Sequence, residues 1–169
     1  MTEIHMHDPP LTFRPATPED EPFVTRLVPR FVEFGLPSGH DPARLQVSFH
    51  RTLNGALHRL PAGHAFYVAE QAGVSVGFIL LEVRDDPLTG ARHGHVSDLA
   101  VTPEADGRGV ARALMIRAER WAYESSLPYL TLSVFATNAR ARALYAKLGY
   151  AEDLLRLHKT VAPDVASTF

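Results

Sequence analysis

A strand that stops at a proline and gives way, a few residues later, to a glycine-opened helix constrains this chain more than any other feature. The run Gly94 to Thr102 is apolar and strand-like, and Pro103 ends it. A helix follows from about Gly107 to Ser125, with Val110, Leu114, Ala118 and Trp121 on one face. Gly107 and Gly109, around Arg108, let the backbone turn sharply and approach a ligand closely. The first turn of such a helix leaves amides without intrahelical partners at the positive end of its dipole, which suits an anion. Arg108 and Arg112 add charge for phosphate. No Lys-Ser/Thr pair follows the turn, so it is not a Walker loop, and the third glycine of the dinucleotide fingerprint is missing.

The remaining elements read in order. Leu11-Thr12-Phe13-Arg14 alternates as a short strand, and Thr17 with Pro18, Glu19, Asp20 and Glu21 opens a helix. Phe23, Leu27, Phe31 and Phe34 carry that helix to Gly35. A Gly- and Pro-rich loop to Pro42 leads into a second helix, roughly Ala43 to Leu60. His64 to Gln71 and Val74 to Arg84 form a hairpin about Ala72-Gly73. Tyr129 to Phe135 is a fifth strand, Asn138 caps a last helix that Gly149 stops, and Tyr150 to Val161 is expected as a sixth strand. The order β, α, α, β, β, β, α, β, α, β is no regular alternation. It argues for a mixed α/β sheet with helices on both faces rather than a doubly wound one. Residues 1–10 are expected as a tail, 11–161 as one domain and 162–169 as a second tail.

Composition removes several functions. Without cysteine there is no disulfide framework, Cys-ligated zinc site, iron–sulfur cluster or thiol nucleophile. Seventeen basic against 19 acidic residues argue against nucleic-acid binding. The start lacks a signal peptide's basic and apolar regions, and no apolar run approaches a membrane span, so a soluble cytoplasmic protein is expected. His93 and His95 have no third ligand at recognisable spacing, so no metal is expected.

A second segment, Asn138-Ala139-Arg140-Ala141-Arg142-Ala143-Leu144-Tyr145-Ala146-Lys147-Leu148-Gly149-Tyr150, is in part simply a well-capped helix. Joined to Leu99-Ala100-Val101, Pro103 and Gly107-Arg108-Gly109-Val110-Ala111, it resembles the GCN5-related N-acetyltransferase (GNAT) superfamily. Phe13 to Asp20 is similar to that family's opening strand and helix start.

The resemblance implies a mostly antiparallel mixed sheet whose fourth and fifth strands splay apart around acetyl-CoA. The pyrophosphate would lie on Gly107, Arg108, Gly109, Val110, Ala111 and Arg112, and the pantetheine arm along Leu99, Ala100 and Val101. Asn138 would contact the pantetheine or help fix the ligand. Tyr145, beside the sulfur, would be the general acid and part of the cofactor site. The implied activity is direct transfer of the acetyl group to a primary amine, of a small molecule or a peptide. The alternative is a non-catalytic acyl-CoA sensor or partner module on the same fold; a nucleotide-binding protein using the glycine turn alone is a third reading. Monomer and homodimer both stay open.

A lysine-like amine is less than about one part in a thousand neutral at pH 7, so its proton needs an acceptor. His95 and Asp98 are both candidates for that base, with Glu82 and water behind them. Strict alternation puts His95, Ser97, Leu99 and Val101 on one face and Asp98 on the other, unless a bulge intervenes. The family usually has Arg or Gln where this chain has Asp106. That side chain is expected to point to solvent, so that Asp106→Arg would tighten acetyl-CoA modestly. Glu33, Asp41, Glu82, Asp85 and Asp86 could offer an amine an acidic approach, although solvated surface charge is their plainer role.

Overall fold

The computed structural model, which describes residues 9–159 and 161, contains five strands and four α-helices. The strands are Leu11–Pro15 (β1), His64–Gln71 (β2), Val74–Asp85 (β3), Arg92–Val101 (β4) and Leu130–Leu132 (β5). The helices are Glu21–Leu27 (α1), Pro42–His58 (α2), Val110–Glu124 (α3) and Ala139–Lys147 (α4). The strands lie side by side in chain order. Each pair from β1 to β4 is antiparallel, and β4 with β5 is parallel. A parallel neighbour needs a crossover, and α3 supplies it.

The sheet has two apolar faces, and each is covered by helices. Phe66, Val68, Phe78, Leu80 and Ala100 pack against Val24 and Leu27 of α1 and Leu53 and Leu57 of α2. On the other face Ile79, Leu81, Val96 and Val101 meet Val110, Leu114, Met115 and Ala118 of α3, with Tyr145 of α4 and Leu148 just past its end at the margin. The expected mixed sheet with helices on both faces is therefore what forms.

Three expected elements differ. The first helix is broken into α1 and flanking 3₁₀ turns at Pro18–Asp20 and Val28–Phe31. Pro29 has no N–H to give, and the amide of Val32 closes a tight 3.1 Å bond to the Pro29 carbonyl. The fifth strand covers Leu130–Leu132 rather than 129–135. Residues 150–159 form no strand and, past Tyr150, lie exposed; three residues of β5 offer a sixth strand little edge to pair with. The expected tails fall largely on residues 1–8 and 162–169, outside the described residues.

The feature that positions the site is a β-bulge in β4. Leu81 pairs with Val96 and Leu80 with Asp98, so Ser97 is one residue too many for the ladder. Val96 therefore faces α3, while Asp98, only two positions on, lies opposite Leu80 on the sheet's other face. Strict alternation is overturned at that point.

Candidate active site

The β4–β5 ladder runs from Gly94↔Leu130 to Val96↔Leu132 and ends where the bulge begins. Beyond it β4 continues as Leu99, Ala100 and Val101, paired with Ile79, Phe78 and Gly77 of β3 only. The two strands thus splay as expected, and the second edge of this part of β4 has no strand partner among the described residues. An extended ligand could add to such an edge.

At the far end of β4 the chain passes a 3₁₀ turn, Pro103–Ala105, and reaches Gly107 and Gly109 with φ of +75° and +81°. A side chain at either position would meet no neighbouring atom within 4 Å, so the left-handed backbone is what requires glycine there. Gly109 is the N-cap of α3, and the first-turn amides of Val110, Ala111 and Arg112 have no intrahelical acceptor.

Asp106, just before this turn, does not point freely to solvent. Its carboxylate accepts hydrogen bonds from Arg30 at 2.7 and 2.8 Å and from Arg140 at 2.8 Å. Burial alone would raise its pKa, but Arg140 and Arg30 outweigh that and hold it below the ordinary carboxylate value. Asn138 caps α4 by accepting from the amide of Ala141 at 3.1 Å. Tyr145, two turns into α4, is partly buried, and desolvation raises its phenol pKa, so it keeps its proton at neutral pH.

On the opposite side of the bulge lies an open pocket of about 490 Å³ between α2 and the β3–β4 ribbon. The sheet contributes Glu82, Arg84, Ser97 and Asp98, and α2 contributes a stripe of Ser48, Arg51, Thr52 and Gly55. The Glu82 carboxylate is the hub. It accepts from the Ser97 hydroxyl at 2.6 Å, pairs with Arg84, and lies 3.4 Å from His64 Nε2. Burial pushes Glu82 up, yet Ser97 and Arg84 bring it below its ordinary value, so it is ionised at neutral pH.

Asp98, only 5% exposed, lines the same pocket. Burial, then the charge of Glu82, raise its pKa to about 7 against the smaller opposing pull of Arg84. His95 is also buried, but its Nδ1 lies 2.7 Å from the Thr131 hydroxyl on β5. Burial and the charge of Arg84 lower it to about 4, so it is neutral. His93 stacks on Tyr129 with ring centroids 5.0 Å apart. The two histidines are thus occupied by different neighbours.

This combination of a split parallel pair, a left-handed glycine turn and a tyrosine-bearing helix can be set against known proteins. The family model described as the acetyltransferase (GNAT) family matches residues 31–150. The chain belongs to the GNAT family. The mycothiol acetyltransferase of Acidothermus cellulolyticus is 40% identical over 95 residues, covering 50% of this chain and 29% of that protein. The chain thus spans well under half of the first curated relatives it matches. A GCN5-related N-acetyltransferase from Ralstonia eutropha has a similar structure, at TM-score 0.68 and 25% identity over 90% of this chain and 99% of that one. A predicted acetyltransferase from Clostridium acetobutylicum, solved with acetyl-CoA, shares the fold at TM-score 0.67 and 19% identity, over 88% and 96% of the two chains.

Within this GNAT domain the expected site residues fall into two groups. Leu99, Ala100 and Val101, the turn from Gly107 to Arg112, Asn138 and Tyr145 belong to β4, the entrance to α3, and α4. Asp98 belongs to the pocket under α2, and His95 to the contact with β5. Of the five acids considered as an approach for an amine, only Glu82 lines that pocket. Glu33 pairs with Arg30, Asp41 caps α2 and Asp86 holds its own turn. Sequence reasoning missed Arg51 and the Arg30–Asp106–Arg140 cluster. A signal for the first existed: Ser48, Thr52 and Gly55 recur at helical spacing beside the apolar Phe49–Leu53–Leu57 stripe. Arg30 and Asp106 lie 76 residues apart, and no local pattern links them.

Proposed function

We propose that this chain transfers the acetyl group of acetyl-CoA to a primary amine by direct attack on the thioester. The observation that carries the reading is Asp98: a carboxylate buried at the bulge, on the wall of an open pocket, beside the point where β4 loses its second strand. A base serves best when its pKa lies near the working pH, and Asp98 at about 7 meets that condition where His95 at about 4 does not. The structure thus favours one of the two bases left open by the sequence.

The residues for acetyl-CoA fit along the open edge of β4 and at the glycine turn beyond it. The unpaired edge of Leu99 to Val101 would pair with the pantetheine amides, and the turn from Gly107 to Arg112 would hold the diphosphate. Bound acetyl-CoA supplies an activated thioester carbonyl. Asp98 would take the ammonium's proton, and the neutral amine would then add to the thioester carbonyl. As the C–N bond forms the C–S bond would break, with Tyr145, kept protonated by burial, giving its proton to the departing thiolate. The solved relative with acetyl-CoA supports the choice of acyl donor.

The test is a calorimetric titration with acetyl-CoA followed by thiol release across a panel of amines. Binding together with release is the expected result, with the release, but not the binding, falling steeply in Asp98→Asn and in Tyr145→Phe. Binding with no release for any amine would replace the enzyme by an acyl-CoA sensor.

A further inference from the structure

Resting on the reading of amine acetylation, we infer that the pocket under α2 selects an amine that also carries an anionic group, with Arg51 as the specificity residue at its mouth. The ionic groups of the pocket do not form an acidic funnel. Two carboxylates, Glu82 and Asp98, face two guanidiniums, Arg51 and Arg84. Glu82 is already committed to Ser97, Arg84 and His64, so it is no free anchor for an ammonium.

Burial sets the order in which a ligand meets these groups. Asp98 is buried at 5% exposure, the Glu82 side chain is 19% exposed, that of Arg84 is 47% exposed, and Arg51 is exposed. An entering molecule passes Arg51 and then the Arg84–Glu82 pair before it reaches the carboxylate that takes the proton. A polyamine would carry its second ammonium past Arg51 unfavourably. A carboxylate or phosphonate on the same molecule would instead remain at the mouth, where a guanidinium offers paired donors. Arg51 makes no hydrogen bond or ion pair with any described residue, so its charge stands uncompensated at that position. Arg51 lies on the α2 stripe one helical turn from Ser48 on one side and from Gly55 on the other, and this rigid element fixes where the anion would sit.

The experiment measures thiol release at saturating acetyl-CoA with matched acceptors: glycine, β-alanine and γ-aminobutyrate, their amides, aminoethylphosphonate, and putrescine and spermidine. The expected result is a kcat/KM about tenfold or more higher for an anionic amine than for its uncharged amide. Preference for the carboxylate over the phosphonate, or the reverse, identifies the anion. Arg51→Ala should bring the acid-to-amide ratio close to one, and Arg51→Glu should turn the preference toward putrescine. Because Arg51 is exposed on a helix, far-ultraviolet circular dichroism of both variants should match the parent. Equal rates on acids and amides, or a parent preference for polyamines, would overturn this inference while leaving amine acetylation intact. Acetyl-CoA binding with no release from any acceptor would overturn both.

Discussion

The two halves of β4 belong to one strand and have different surroundings. From Gly94 to Val96 the strand is paired on one side with β3 and on the other with β5. Past the bulged Ser97, from Asp98 to Val101, it has β3 as its one strand partner among the described residues. In the first half His95 is taken up by Thr131, as His93 just before it is by Tyr129. In the second, Ser97 and Asp98 open onto a pocket and the main chain has a free edge. A single extra residue at the bulge separates the half that holds the sheet together from the half that can meet ligands.

The strongest way to break that division is at Asp98. Asp98→Asn keeps the shape and removes the base, and the turnover number should fall by about 10²–10⁴-fold. Acetyl-CoA affinity should barely change, because the proposed cofactor path follows the main chain of the next residues rather than this side chain. The parent rate should climb with pH through about 7 as Asp98 loses its proton, and in the variant that rise should vanish. A variant that kept its rate and its pH profile would move the base elsewhere. Tyr145→Phe should cost about a hundredfold in rate, again with binding retained, since only the phenolic hydroxyl is removed.

The paired half can be broken separately. At Gly94 an added Cβ would fall 2.6 Å from Leu130 Cδ2 and 3.0 Å from Trp121, between β5 and α3. Gly94→Ala should therefore cost about 1–3 kcal/mol of stability by overpacking, read as a lower urea midpoint. Activity per folded molecule should hold, because this half carries neither Asp98 nor Tyr145, the two groups proposed for proton transfer. If Gly94→Ala abolished turnover without unfolding, the two halves would not be separable.

Much of this was legible locally and little of it non-locally. Gly107, Gly109, Asn138 and Gly149 announce their turns and caps because backbone conformation is a property of a few neighbouring residues. Pro29 was equally visible, yet the apolar spacing of Phe23, Leu27 and Phe31 concealed the break it makes. The bulge at Ser97 is set by pairing with Leu80 and Leu81, which no periodicity within β4 contains. The choice between His95 and Asp98 therefore had to wait for the sheet. The placement of Arg51 on the pocket wall and the contact of Arg30 with Asp106 are likewise products of packing between distant segments.

Proton linkage sharpens the comparison further. Asp98 sits well above the carboxylate range when folded, so between that range and about pH 7 the native state holds a proton the unfolded chain has lost. Stability then falls as pH rises through that window. His95 is the reverse: lowered to about 4 from 6.5, it leaves the unfolded chain with the extra proton, and stability rises over that interval. The two slopes oppose each other in the parent. Asp98→Asn should leave a rising melting temperature between pH 4 and 6.5, and His95→Gln a falling one. Parallel profiles in both variants would show that neither group is held as described.

The smallest effect is expected at Asp106, where the ligand-facing half meets the glycine turn. Its carboxylate lies between Arg30 and Arg140, and the Arg140 side chain is 66% exposed. Pairs of this kind contribute about 1 kcal/mol or less, so Asp106→Asn should lower stability only slightly. The same change removes a negative charge from the approach to a diphosphate and releases two guanidiniums toward it. Acetyl-CoA should bind about twofold to fivefold tighter at low salt, with the gain shrinking as salt screens it. Asp106→Arg, which would be harmless for a side chain in open solvent, instead sets a third guanidinium against Arg30 and Arg140. It should destabilise the chain more than Asp106→Asn does. Calorimetry and urea melts of the two variants decide the matter: if Asp106→Asn weakened binding, the arginine–aspartate cluster would be shaping the turn rather than competing with the phosphate.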